Sequence, residues 1–135
     1  MSQGQSSATP ATYYGHRTIT FNPGTTPTVP ASTPVTLGDS ILLRVDVKVP
    51  PGAGGCMGFQ VQYANNVILP WGSLAQYLIL DGDDIGFDVN TEIGGTMQIV
   101  GYNTGFWPHS IYLRFEYIPI VVASSGTIIP TIVDL

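Results

Sequence analysis

The chain has 135 residues, nine acidic and four basic, for a net charge of −5, and only 10% of its residues are charged, against roughly 25% in ordinary soluble domains. Its four cations, Arg17, Arg44, Lys48 and Arg114, are too few and too dispersed to displace counterions from a nucleic acid or to hold an anionic bilayer surface, so neither is expected as a partner. The length fits one domain able to bury roughly two thirds of its unfolded surface, and 44% hydrophobic residues are enough to build a core.

One cysteine, Cys56, leaves no internal disulfide. The first residues, MSQGQSSATP, have neither the basic head nor the apolar run of a secretion signal. No apolar run approaches the ~20 residues of a helical membrane span. The expectation is a product made in a cytosol that stays soluble or assembles there. With 16 glycines and 11 prolines, turns and extended segments are favoured over helices.

In chain order, residues 1–15 are read as a polar N-terminal arm that orders on docking, since the Ser/Gln/Thr/Ala run to Thr12 has no periodicity. Arg17 to Phe21 alternates and is a first strand. Asn22 to Pro34 holds Pro23, Pro27, Pro30 and Pro34. Proline cannot donate to a ladder, so this is an extended arm or an edge segment, not a central strand. Gly38-Asp39 reads as a turn into Ser40–Val49, where Ile41, Leu43, Val45, Val47 and Val49 fall on one face and Leu42, Arg44, Asp46 and Lys48 on the other.

After the PPGAGG turn, Met57–Tyr63 places Phe59, Val61 and Tyr63 inward and Gln60 and Gln62 outward. Asn65-Asn66 is a tight turn into Val67–Leu69. Gln76–Leu80 reads as a strand ended by the hairpin signal Asp81-Gly82, with Ile85, Phe87 and Val89 alternating beyond it. Gly94-Gly95 turns the chain into Met97–Tyr102. A ring-rich loop follows, and then Ser110–Tyr117, with Ile111, Leu113, Phe115 and Tyr117 on one face and Tyr112, Arg114 and Glu116 on the other. Residues 124–135 are a last strand or an arm. Eight or nine short strands separated by turns predict an all-β fold, an antiparallel β-sandwich of jelly-roll or Ig-like type, spanning residues 16–123.

The candidate chemistry is thin. Asp81, Asp83, Asp84 and Asp88 could offer oxygen ligands to calcium, but the spacing lacks the ligand positions of an EF-hand loop and reads as an acidic turn. His16, His109 and Cys56 show no HxH or CxxC spacing. Ser73 fails the nucleophile-elbow pattern, and Glu92 and Glu116 are unlinked. No enzyme, no metal and no cofactor is expected.

The aromatic residues carry more. Tyr13, Tyr14, Trp71, Tyr102, Phe106, Trp107 and Tyr112 fall in tails, loops or on an outward face, and rings in such places mark interfaces or sugar-stacking platforms. For the two tryptophans, plugging the ends of the sandwich is the competing structural role. His109, beside Trp107 and Pro108, is read as a packed or interfacial imidazole. The partner-binding set is Tyr13, Tyr14, Trp71, Tyr102, Phe106, Trp107 and His109.

The Pro/Thr-rich stretch TTPTVPASTPV before LGDSILLRVDVKV, together with IVGYNTGFWPHSIYLRFEY, resembles the decoration (cement) proteins and accessory β-sandwich modules of tailed bacteriophages. The likeness is one of style over residues 16–120, and no family site residues transfer with it. It implies a structural virion protein, a capsid decoration subunit that binds other virion proteins, forms homo-oligomers and resides in the virion after assembly in the host cytoplasm. The alternative expectation is a carbohydrate- or receptor-binding module that uses Trp71, Tyr102, Phe106 and Trp107.

Overall fold

The computed structural model describes residues 11–70, 76–122 and 128–130, with the backbone alone for residues 121, 122 and 128–130. The expected residues of the arm up to residue 10, Trp71 and Ser73, and most of 124–135 lie outside the described residues. Within them are seven strands: β1 (Tyr13–Phe21), β2 (Ala31–Val49), β3 (Met57–Tyr63), β4 (Asn66–Leu69), β5 (Asp83–Asn103), β6 (His109–Val122) and β7 (Ile128–Pro130). All pairings are antiparallel. They form one continuous sheet in the order β1-β6-β2-β5-β3-β4, with β7 attached to β6.

The all-β antiparallel expectation therefore holds, but in place of two separate sheets of jelly-roll or Ig-like type the described residues form a single sheet curled into a half-barrel. The curl comes from the β2/β5 ribbon, which pairs from Ala31↔Gly101 to Val49↔Asp83. Drawn straight, the 21 residues of β5 would span roughly 66 Å. Yet the 50–56 loop carries the chain from Val49, opposite Asp83, to Met57, opposite Asn103, a reach of at most about 29 Å. The ribbon must double back.

It does so at mid-length, where Gly38 pairs with Gly95 and Asp39 with Gly94, beside a register shift at Thr36/Gly38. Gly38 and Gly95 have φ of 77° and 110°, a region open to glycine at little steric cost. The two turn signals that should have ended strands instead face each other and bend both strands together. The Gly94 N–H donates to the Tyr63 hydroxyl at 2.7 Å, which fastens the bend to β3.

A second departure lies in β2. A register shift between Leu42 and Arg44 appears in its pairing with both neighbours. Against β6 the extra residue is on β2 and slips its inward phase by one, whereas against β5 the extra residue lies on β5, between Asp88 and Thr91. Leu42, expected outward, is fully buried with Val45, Val47 and Val49, while Ile41 and Leu43 are only half-buried. Ile111, Leu113 and Phe115 of β6 and Phe59 and Val61 of β3 point as expected into the same core cluster as Met97, Ile99 and Val89 of β5. Gln60, expected to face outward, is instead fully buried, its amide donating to the Gln76 carbonyl of the segment that covers it.

Three boundaries move. β1 begins at Tyr13, four residues before the expected strand. The β3–β4 turn centres on Ala64 and Asn65, both with positive φ, rather than on Asn65-Asn66. Gln76–Leu80 is no strand and Asp81-Gly82 closes no hairpin; Leu78 makes one bridge to Phe59 and the chain passes on into β5. Ala31–Thr36 pairs with β5 alone, so the Pro-rich stretch ends in the edge position that its prolines call for.

Where the doubled ribbon brings β1 over β5, the Phe21 ring lies against Gly101. A Cβ there would sit 2.5 Å from that ring and 2.8 Å from the Gly58 carbonyl oxygen. Gly101→Ala is expected to cost about 2 kcal/mol or more, read as a lowered urea midpoint with unchanged slope; wild-type stability would show that the two layers do not meet as closely as stated.

Candidate functional site

Folding the ribbon gathers the 22–30, 50–56, 76–82 and 104–108 loops at one end of the molecule. Asn103, the last residue of β5, ties three of them together. Its side chain is fully buried, where an unpaired amide would be costly, and every polar atom of the residue is used. The Nδ2 group donates to the Phe21 carbonyl at 2.9 Å and to the Trp107 carbonyl at 2.7 Å. Oδ1 accepts the Gly105 N–H at 2.9 Å, with the Cys56 thiol at 4.0 Å. The backbone N–H donates to Thr25 Oγ1 at 2.8 Å and the carbonyl accepts the Gly24 N–H at 3.2 Å.

The remaining loops are stitched alongside. Thr104 N–H donates to the Cys56 carbonyl at 2.9 Å. Asp81 accepts the Gly52 and Gly54 N–H groups at 2.8 and 3.3 Å, so this member of the acidic run braces a neighbouring loop. Tyr77 donates its hydroxyl to the Pro27 carbonyl at 3.0 Å and meets Tyr102 edge to face at 4.9 Å. Burial raises the pKa of both phenols, reinforced for Tyr77 by Tyr102 and for Tyr102 by Cys56. No group of three His, Cys, Asp or Glu side chains that could hold a metal occurs among the described residues.

On this braced base stand Phe106 and Trp107, 91% and 74% exposed, with Val29 and Ile79 also exposed on the adjoining loops. Apart from Asp81, whose carboxylate is engaged by backbone N–H groups, these four loops contain no charged residue. The end of the molecule is thus largely apolar, with Asp81 the one charge in these loops, and its loop backbones are tied to one another.

The other expected residues scatter. Tyr102 is 6% exposed and packs against Gly58 as a wall of the loop cluster. His109 opens β6 opposite Phe21, half-buried beside Gly52. Tyr13 and Tyr14 are strand residues, exposed but at the far end of β1, roughly 25 Å along the strand from Phe21. Tyr13 faces the Tyr117 ring at 6.0 Å. Asn103, Val29 and Ile79 were not singled out by sequence; the only trace of Asn103 is its place before Thr-Gly at the end of an alternating run, which reads as a turn residue.

A second polar feature crosses the outer face of the sheet. Asp88 of β5 binds Arg44 of β2 at 2.9 Å, Arg44 binds Asp46 at 2.9 Å, and Asp46 binds Arg114 of β6 at 2.8 Å. The Arg114 guanidinium lies 5.1 Å over the Tyr14 ring of β1. Burial works to raise the Asp46 pKa, but hydrogen bonds and charge from Arg114 and Arg44 outweigh it and hold the carboxyl below its usual range. Hydrogen bonds to Asp46 and Asp88 hold Arg44 above its own.

No protein-family model and no curated protein matches the chain. Among solved structures, a chain of the cyanophage Pam1 capsid asymmetric unit is similar at 15% identity and a TM-score of 0.47, covering 87% of this chain and 90% of that one. That likeness is too distant to carry an argument.

Asn103→Ala strips partners from two carbonyls and the Gly105 N–H, and is expected to cost about 3 kcal/mol and to speed hydrogen exchange at the Gly105 amide; slow exchange in the variant would show that the loop is held otherwise. Asp46→Asn should cost on the order of 1 kcal/mol at neutral pH. Because the folded pKa of Asp46 lies below the unfolded value near 3.9, its contribution is complete above about pH 5 and fades as pH falls. The wild-type advantage over Asp46→Asn in urea melts should therefore shrink on going from about pH 6 to pH 3.

Proposed function

We propose that this chain is a non-enzymatic structural subunit of a virion, a capsid decoration or related accessory protein, that docks its loop end onto neighbouring protein subunits, copies of itself among them. The observation that carries the docking role is the exposed Phe106–Trp107 pair on a loop whose backbone is fixed by Asn103. A large ring on a backbone already held in place spares the cost of ordering the loop on binding, and aromatic residues of this kind are the usual energetic centre of an interface. Each ring can bury roughly 150–250 Å². The pair, with Val29 and Ile79, supplies about half of the ~800 Å² per partner of a standard interface, and the surrounding loops supply the rest.

The virion assignment draws its support from the Pro/Thr-rich segment, the aromatic run and the sparse charge of the sequence. With Asp81 the one charge in these loops and its carboxylate turned to backbone N–H groups, the partner surface is largely apolar, and binding owes little to electrostatic steering.

Immuno-electron microscopy of purified particles from the source is the direct test, and labelling of the particle surface is the expected result. On such particles the double variant Phe106→Ala/Trp107→Ala should bind about a hundredfold more weakly while melting like the wild type. Raising salt from about 0.1 to 1 M should leave wild-type affinity nearly unchanged, since no charge pair is there to screen. A monomer that ignores particles, binds glycans on an array and loses that binding on Trp107→Ala would replace the docking role with a sugar-binding one.

A further inference from the structure

Beside the ionic chain on the outer face, a shallow depression of about 130 Å³ is lined by His16, Asp46, Lys48, Asp84, Tyr112 and Arg114. The registers of four strands lay these side chains out as a grid. One row across the sheet runs Thr18, Tyr112, Lys48, Asp84, and the next runs His16, Arg114, Asp46, Gly86. Gly86 contributes no side chain to the second row, and the Arg44 guanidinium leans over it. Room is left between the rows. The volume is well under the ~300–1,000 Å³ of pockets that enclose drug-sized ligands, so it suits one small ring.

The chemistry of the lining is selective. Asp46 is already shared by two guanidinium groups. Lys48 and Asp84, although cross-strand partners, form no ion pair with each other or with any other described residue. An ammonium with only donors and a carboxylate with only acceptors therefore stand side by side, next to a half-exposed phenol ring. Arg114 is balanced by Asp46, and Lys48 by Asp84, so the depression carries no net charge with which to concentrate an anion or a cation. A neutral ligand with adjacent hydroxyl groups and an apolar face meets all three features.

We propose that this depression binds a single pyranose ring of a neutral saccharide. The C–H face of the sugar packs on Tyr112, one hydroxyl donates to the Asp84 carboxylate, and its neighbour accepts from the Lys48 ammonium. The site shares no residue with the loop end, so the sugar subsite and the docking role stand or fall separately.

The test is a ¹H–¹⁵N NMR titration of the full chain with the methyl pyranosides of glucose, galactose, mannose and N-acetylglucosamine. At least one should give saturable shifts centred on Lys48, Asp84 and Tyr112, with a millimolar Kd. Tyr112→Ala and Asp84→Asn, both at exposed side chains, should weaken that binding about tenfold or more. Tyr112→Phe, which keeps the ring, and Trp107→Ala should leave it intact. The proposal is overturned by the absence of saturable shifts with all four sugars, by shifts centred on Phe106 and Trp107, or by displacement of the sugar with inorganic phosphate.

Discussion

A two-stranded ribbon some 60 Å long when straight cannot have its ends joined by the seven residues of the 50–56 loop unless it folds in half, and the rest of this molecule follows from that constraint. The glycines opposed at 38 and 95 make the fold possible, and the core cluster is what the two inward faces bury against each other. Burying those apolar faces is the dominant favourable term. The bend is its precondition.

Folding the ribbon also decides where function can reside. It collects four loops at one end, where Asn103 converts them from separate connectors into one hydrogen-bonded base. A ring at the tip of a free loop would need both backbone and side chain ordered on binding; on this base the backbone is ordered already. The polar chemistry is sorted elsewhere. The outer face of β1, β6, β2 and β5 bears the chain from Asp88 to Arg114, whereas the outward side chains of the other half of the ribbon form uncharged pairs, Ser32 with Gln98 at 2.7 Å and Thr36 with Thr96 at 2.9 Å. One small chain thus presents an apolar end, a charged face and a neutral face.

The alternation of Ile111, Leu113 and Phe115 against Tyr112 and Arg114 could be read directly from the sequence, because a strand's period of two is written in consecutive residues. The burial of Gln60 could not, since it depends on the 76–80 segment that crosses β3. The sparse charge and the exposed Phe106-Trp107 pair were legible for the same reason: composition and local run are one-dimensional. The phase of Leu42 was not, since a bulge depends on what its two partner strands require. Nor was the meaning of Gly38 and Gly94-Gly95, because a glycine marks a place where the backbone may turn and leaves open whether it reverses one strand or bends a pair.

What the sequence determined by itself was therefore an antiparallel β chain with little charge and rings to spare. What only the tertiary structure decided was which rings face outward: Tyr102 packs under Tyr77, Tyr13 and Tyr14 stand at the opposite end from Trp107, and Asn103 is the buried joint of the loop end. These outcomes rest on contacts between residues as far apart in the chain as Phe21, Cys56 and Asn103. Such contacts exist only once the ribbon has folded, and no local pattern encodes them.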